Sequence, residues 1–389
     1  MRFATLLSLH TMQTSRMGEK RLGLIVNPIA GIGGRVGLKG SDGVEIQRRA
    51  LQLGAVRESE SRAVQALQMV QSIGDRLEVI TYPHEMGEDA ARECGFEPKV
   101  VGTIERGETT AEDTRNAALA LMRLRVDLLL FAGGDGTARD IYGAVGQHIP
   151  VLGIPAGVKI HSAVFGTSPR STGALAALYL RGRASSLREA EVMDIDEEAF
   201  REGRVSARLY GYLKVPYRSE LVQGQKAASG PGEEASQRAI AADITDRMQA
   251  DCLYIIGPGT TTKAIASQLA LRKTLLGVDV VKGGKMVATD VGESQLLELL
   301  QGVKAKVIVT PIGGQGHIFG RGNQQISPEV IRRVGRDNVI VVSTAGKIDS
   351  LGGKPLLVDT GERAVDRMLS GYIRVVTGYD EQIVYRVSG

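Results

Sequence analysis

Between residues 22 and 154, short apolar runs alternate with stretches of helical periodicity, and this alternation leaves little choice of fold. The runs at 22–26 (LGLIV), 77–81, 100–104, 127–132 (DLLLFA) and 149–154 (IPVLGI) show no polar alternation, so each reads as a strand buried on both faces. Residues 44–53, 61–73, 86–94, 109–124 and a stretch from 138 read as the helices between them. Thr109 or Thr110, followed by Glu112 and Asp113, supplies the cap and acidic first turn of the fourth. Strands linked through helices form βαβ units, which require a parallel sheet covered on both sides. The expected fold class is therefore α/β, with a doubly wound amino-terminal domain.

The rhythm changes near residue 186. Residues 191–196 and 204–216 look like alternating strands joined by a polar turn, and 223–236 (QGQKAASGPGEEAS) has the composition of a linker or loop. Strands then recur at 252–256, 276–281, 307–310 and 339–343, with helices near 262–271, 294–300 and 328–334. Two closing strands, 372–377 and 382–386, end the pattern. The division expected is a flexible tail over 1–20, an α/β domain over 21–185, and a mixed α+β second domain over 186–389. The final strands are candidates for packing back on the first domain.

Composition narrows the function. Forty-nine of 389 residues are glycine, against about 7% on average, without the G-X-Y period of collagen. The excess therefore serves turns and close backbone approach. Two cysteines cannot make a disulfide framework, and five histidines do not suggest a histidine-built metal site. The net charge of +4, with no Trp and 4% aromatics, does not suit a nucleic-acid surface and fits a small anionic substrate better. No apolar run reaches 18 residues, so a cytoplasmic protein without a membrane partner is expected.

The chemistry concentrates at Gly133-Gly134-Asp135-Gly136-Thr137, where an apolar strand runs into a helix. Open α/β sheets bind ligands at the carboxyl ends of their strands. Paired glycines let a phosphate approach the backbone, and a helix N-terminus offers free N–H groups. Asp135 there can accept the proton of an attacking hydroxyl or help hold a phosphate-bound Mg²⁺. The bland alternative is a tight turn with an aspartate cap. A second turn, Asn27-Pro28 with Gly31, ends the first strand. A third holds Gly157, Lys159, His161 and Ser162. Lys159 can neutralise a phosphate and His161 can hydrogen-bond or titrate, or the segment is a plain strand-to-helix loop.

Two further turns lie in the second half. Gly257, Gly259, Thr260 and Thr261 precede a helix and could cradle an anion, although a threonine-rich cap explains them too; the spacing is not that of a Walker A loop. Arg321 offers a planar fork for phosphate, and Asn323, Gln324 and Gln325 carry amides that could read a ribose, an amide or a base edge. Self-bonding within a glycine-rich loop is the alternative.

GGDGT after a buried strand resembles the signature of the ATP-NAD kinase family and of its diacylglycerol and sphingosine kinase relatives. The segment around Asn27, Pro28 and Gly31 is similar to their N-P-x-x-G turn, and the two motifs follow in the same order over the first ~165 residues. The 153–165 run and the 310–325 run resemble a divergent branch of the family that includes the acetoin-catabolism X proteins. The resemblance implies that Asp135 serves the reacting hydroxyl while Gly133, Gly134, Gly136 and Thr137 receive the nucleotide phosphates. It further implies phosphoryl transfer from ATP (or polyphosphate), with Mg²⁺, to the ribose hydroxyl of NAD, giving NADP, in a protein expected to be a homo-oligomer. A kinase of a lipid or polyol, or a nucleotide sensor without turnover, would use the same motifs.

Overall fold

A computed structural model of the chain describes residues 20–38, 43–158, 160–183, 186–195, 207–217, 233–312 and 315–389. Residues 1–19 of the expected 1–20 tail, Lys159 and residues 223–232 of the expected linker lie outside the described residues.

The first sheet has five parallel strands: β1 (Lys20–Val26), β2 (Leu77–Thr81), β3 (Lys99–Val100), β4 (Leu128–Gly133) and β5 (Val151–Pro155). Their order is β3-β2-β1-β4-β5, every pair parallel. β4 and β5 are buried along their whole length, which is why their sequences are unbroken apolar runs rather than alternating ones. Helices Ser59–Val70 and Pro169–Leu180 cover one face, and Ala111–Arg123 and Asp135–Val145 the other, so the sheet separates two cores. Helix Ala111–Arg123 begins with a reciprocal capping box between Thr110 and Asp113. The strand order reverses direction between β1 and β4, and in such sheets that crevice is where ligands bind.

The antiparallel hairpin β6 (Leu187–Ile195) and β7 (Ala207–Pro216) follows. Its inward residues Ala190, Val192, Leu213 and Val215 join the core formed by Phe131, Ile141 and Phe165. The hairpin therefore packs with the first sheet, although the change of rhythm at 186 had placed it in the second domain. Periodicity reports hairpin geometry but not which core the hairpin covers.

The second sheet is mixed, with nine strands: β8 (Leu253–Ile256), β9 (Asp279–Lys282), β10 (Lys285–Ala288), β11 (Ala305–Val309), β12 (His317–Phe319), β13 (Val339–Val342), β14 (Leu356–Val358), β15 (Gly371–Gly378) and β16 (Glu381–Ser388). Their order is β10-β9-β8-β11-β13-β15-β16-β14-β12. The closing strands β15 and β16 pair with each other and sit between β13 and β14, so they complete the second sheet and do not return to the first.

A buried ionic cluster ties the two parts together. Arg62, on helix Ser59–Val70, donates through Nη1 to Asp359 Oδ2 at 2.9 Å and to the Pro155 carbonyl at 3.2 Å. Arg321 Nη2 meets the same Asp359 oxygen at 2.8 Å. All three side chains are at least 95% buried. Burial alone would raise the Asp359 carboxyl, but the two guanidiniums hold it below its ordinary value. Burial, with Arg62 nearby, pushes Arg321 down to about 10. Replacing Asp359 by Ala should cost about 3–5 kcal/mol, because two guanidiniums would be left buried without a counter-charge; denaturant unfolding measures it.

His317 packs beside this cluster, fully buried, with Nε2 against the Thr167 carbonyl at 3.1 Å. Burial, reinforced by Arg321, pushes its imidazole down to about 3, so it stays neutral in the fold. The unfolded chain takes up that proton below about 6.5. Stability from this residue is therefore lost as pH falls from about 6.5 toward about 3. Unfolding midpoints should decline across that range, and His317→Gln should flatten the decline.

Candidate active site

Three turns meet at the carboxyl ends of β1, β4 and β5. Asn27 closes β1 with its backbone N–H on the Ala132 carbonyl, and its side-chain Nδ2 donates to Thr137 Oγ1 at 2.9 Å. That bond fastens the first turn to the helix that begins at Asp135. Pro28 is buried beside it. Gly133 ends β4, where a side-chain carbon would come within 2.5 Å of Thr137, and Gly134 is the N-cap of helix Asp135–Val145. Gly136 and Thr137 lie in that helix's first turn. The Gly133 carbonyl accepts from the N–H groups of Ala156 and Gly157, which sets the third turn directly over the second. Gly31 has a φ of 78°, and a Cβ there would lie 2.0 Å from the Ala156 carbonyl oxygen. Only glycine allows the first and third turns to touch.

Asp135 is buried inside this junction and does not stand out as an open cap. Its Oδ2 accepts from His161 N at 2.7 Å and lies 3.3 Å from His161 Nδ1; its Oδ1 accepts from Ser162 N at 3.0 Å. Ser162 Oγ donates to the Met193 carbonyl at 2.8 Å and accepts from Met193 N at 3.0 Å. The Ser162 hydroxyl, expected to meet phosphate, thus braces the loop against the β6–β7 hairpin. Arg139 and Asp140, one turn beyond Asp135, are spent on ion pairs with Asp194 and Arg115 at 2.6 and 2.8 Å.

The amide-rich run of the second part lies against backbone of both parts. Gln324 Nε2 donates to the Val158 carbonyl at 2.9 Å, and Gly322 N donates to the same oxygen at 3.0 Å. Asn323 is bonded within its own loop, to Gly320 N and the Ile318 carbonyl, and Gln325 is buried. Arg321 faces Asp359. Asn323 and Gln324 thus hold protein backbone, the self-bonding alternative for these two side chains, while Gln324 Oε1 meets no hydrogen-bond partner among the described residues. Gln315, which the sequence did not single out, completes the grip by donating to the Ile160 carbonyl at 2.7 Å. The only hint of it is its place in the same glycine-rich string. Arg62 and Asp359 gave no sequence signal at all.

The turn at Gly257 and Gly259 ends β8 in the second sheet. Its hydrogen bonds run to Ile308, Leu275 and Thr262, while Thr260 and Thr261 accept from Gln237 and Lys347. All of these partners belong to the second part, so the turn is built separately from the Asp135 junction. Among the described residues, no group of three His, Cys, Asp or Glu gathers to hold a metal, and both Asp135 oxygens are engaged by N–H groups. No described helix is long and apolar enough to cross a membrane.

Comparison with known proteins agrees with this two-part layout. Residues 22–184 match the model of the ATP-NAD kinase N-terminal domain, and residues 250–387 that of the ATP-NAD kinase C-terminal domain. No curated protein matches the chain. Among solved structures, it is similar to a putative diacylglycerol kinase from Bacillus anthracis str. Sterne (16% identity, TM-score 0.23, covering 46% of this chain and 43% of that one). A second diacylglycerol kinase structure from the same organism matches at 17% identity with TM-score 0.24, covering 46% of this chain and 48% of that one. The chain thus spans under half the length of each.

Two substitutions test the reassigned contacts. Gly31→Ala should destabilise the protein by about 1–3 kcal/mol, the range for overpacking a filled site, because the loop at Ala156 must move; unfolding in denaturant measures it. Arg321→Ala should lower the unfolding midpoint while the folded protein keeps its affinity for ATP by calorimetry. A selective loss of ATP affinity would return Arg321 to the ligand.

Proposed function

This chain belongs to the ATP-NAD kinase family, both of whose domains it carries, and from that premise we propose that it transfers the terminal phosphoryl group of ATP to a ribose hydroxyl of NAD, forming NADP. The observation that carries the proposal is the Asp135 junction at the switch point of the first sheet. There a carboxylate, a helix N-terminus and two closely approached glycines share one crevice. The glycines and the N–H groups of the first helical turn receive phosphate oxygens, whose charge they stabilise without any side chain having to move. Phosphoryl transfer demands little more of a protein than such positioning. A Mg²⁺ carried on the phosphates of ATP would supply charge neutralisation, while the chain's own residues orient the acceptor. With the side-chain amides of Asn323 and Gln324 donating to backbone, support for NAD as acceptor comes from the family models and not from that run.

Incubation of the pure protein with ATP, Mg²⁺ and NAD should yield NADP, read by a dehydrogenase that accepts NADP alone. Phosphorylation of diacylglycerol with NAD left untouched would keep the kinase and discard NAD as acceptor. Nucleotide binding without turnover on any hydroxyl compound would identify a sensor. Asp135→Asn should reduce turnover by about 10²–10⁴-fold with the fold preserved, the range seen when acid–base catalysis is removed.

A further inference from the structure

Gln324 enters the junction from the second part with one half of its amide engaged and the other half not. Its Nε2 donates to the Val158 carbonyl at 2.9 Å; a carbonyl only accepts, so the nitrogen is the atom that faces the third turn. That bond fixes the orientation of the amide, and Oε1 is turned away from Val158. Oε1 is buried and meets no hydrogen-bond partner among the described residues. The side chain also lies on the first turn, where a Cβ at Gly34 would come 3.3 Å from Gln324 Cβ and 3.5 Å from its amide carbon. Gly34 N is held in turn by the Gly31 carbonyl, and Gly31 abuts Ala156. On its other side the third turn packs on Gly134, where a Cβ would stand 3.2 Å from Gly157 Cα. Gln324 therefore sits at the seam of the turns that form the Asp135 crevice. Its neighbour Asn323 differs, since both ends of that amide are engaged, at Gly320 N and the Ile318 carbonyl. Holding Val158 explains the nitrogen of Gln324 and leaves its oxygen unexplained.

We infer that Gln324 Oε1 is a specificity-determining acceptor, which takes a hydrogen bond from a donor group of the bound nucleotide: the exocyclic amine of an adenine or a hydroxyl of its ribose. The inference rests on the phosphotransfer reading above, which brings nucleotides to this crevice. A buried acceptor without a donor is costly in the free protein, and a ligand that supplies the donor removes that cost. Because the oxygen is already out of water, the new bond displaces no solvent from it. A ligand with a bare carbon at the same place leaves the acceptor unpaired, and one with an oxo group sets a second acceptor against it. Sites built to hydrogen-bond a substrate group reject the analogue that lacks it for this reason. The bond from Nε2 to Val158 contributes by holding the amide in the one orientation that presents oxygen to the ligand.

Calorimetric titration of the full chain reads this without turnover. Wild type, Gln324→Met and Gln324→Glu are each titrated with ATP and NAD, and with analogues that lack one donor. ITP and nicotinamide hypoxanthine dinucleotide carry an oxo group in place of the amine; 2′-deoxy-ATP and 3′-deoxy-ATP lack a hydroxyl. Neither Met nor an ionised Glu can donate to Val158, so both variants lose the clamp bond, but Glu keeps an oxygen acceptor and Met does not. At least one analogue should bind wild type about tenfold or more weakly than its parent, which identifies the donor as amine or hydroxyl. Gln324→Glu should retain that discrimination and Gln324→Met should lose it. No discrimination in wild type, or equal discrimination in all three proteins, would overturn the inference. An equal loss in both variants would overturn it too, because a purely structural clamp behaves that way. NADP formation is followed separately. A wild type that discriminates but makes no NADP keeps Gln324 as the reader and discards NAD phosphorylation, whereas one that makes NADP without discriminating discards Gln324 alone.

Discussion

Residues 156–158 and 160–162 run between the two halves of the molecule, largely away from water, and their backbone polar groups have to be satisfied there. Buried N–H and C=O groups left unpaired cost about as much as a lost hydrogen bond each, so the surroundings must supply partners. The Gly133 carbonyl takes two of the N–H groups and Asp135 takes two more, while Gln315, Gly322 and Gln324 serve the carbonyls of Val158 and Ile160. Much of the architecture of the site follows from that demand. Asp135 is buried because the loop needs an acceptor, and the glycine-rich segment of the second sheet carries amides because the loop needs donors.

The same demand explains how two separately built sheets act as one body. Arg62 reaches from the first core to Asp359 and also caps the Pro155 carbonyl, at the point where β5 hands over to the loop. Arg321 brings the second glycine-rich segment to the same carboxylate. One acidic group thus organises two guanidiniums from opposite sides of the interface. A buried arrangement of this kind adds little net stability compared with apolar packing, but losing one member is costly, which favours a single relative placement of the parts. The segment that follows β5 inherits that fixed placement.

Much of the first domain was legible in the sequence. Strands buried on both faces must be continuously apolar, so β1, β2, β4 and β5 stood out within a few residues of their observed ends. β3 proved shorter than its apolar run, Lys99–Val100 against 100–104. The short strands β10, β12 and β14 were missed because three or four residues carry too little pattern. Helix Glu233–Asp246 was hidden behind a linker-like composition that extends into its first turn. Cys94 and Cys252 are both buried free thiols, with no disulfide between them.

At the site, the sequence by itself determined the chemistry of the turns. An apolar strand that runs into GGDGT can only end in a glycine turn with an acid at a helix start, and Asn27-Pro28 closes the neighbouring strand by the same local logic. What a polar side chain faces across the interface is not a local property, and there the sequence was silent. Arg62 and Asp359 are 297 residues apart and meet only because two sheets pack. The amides near 324 left a ligand and the protein's own loop open as partners, because composition reports hydrogen-bonding capacity but not its recipient. Tertiary packing alone decided that the recipient is the protein's own backbone, and that His161 stands on Asp135.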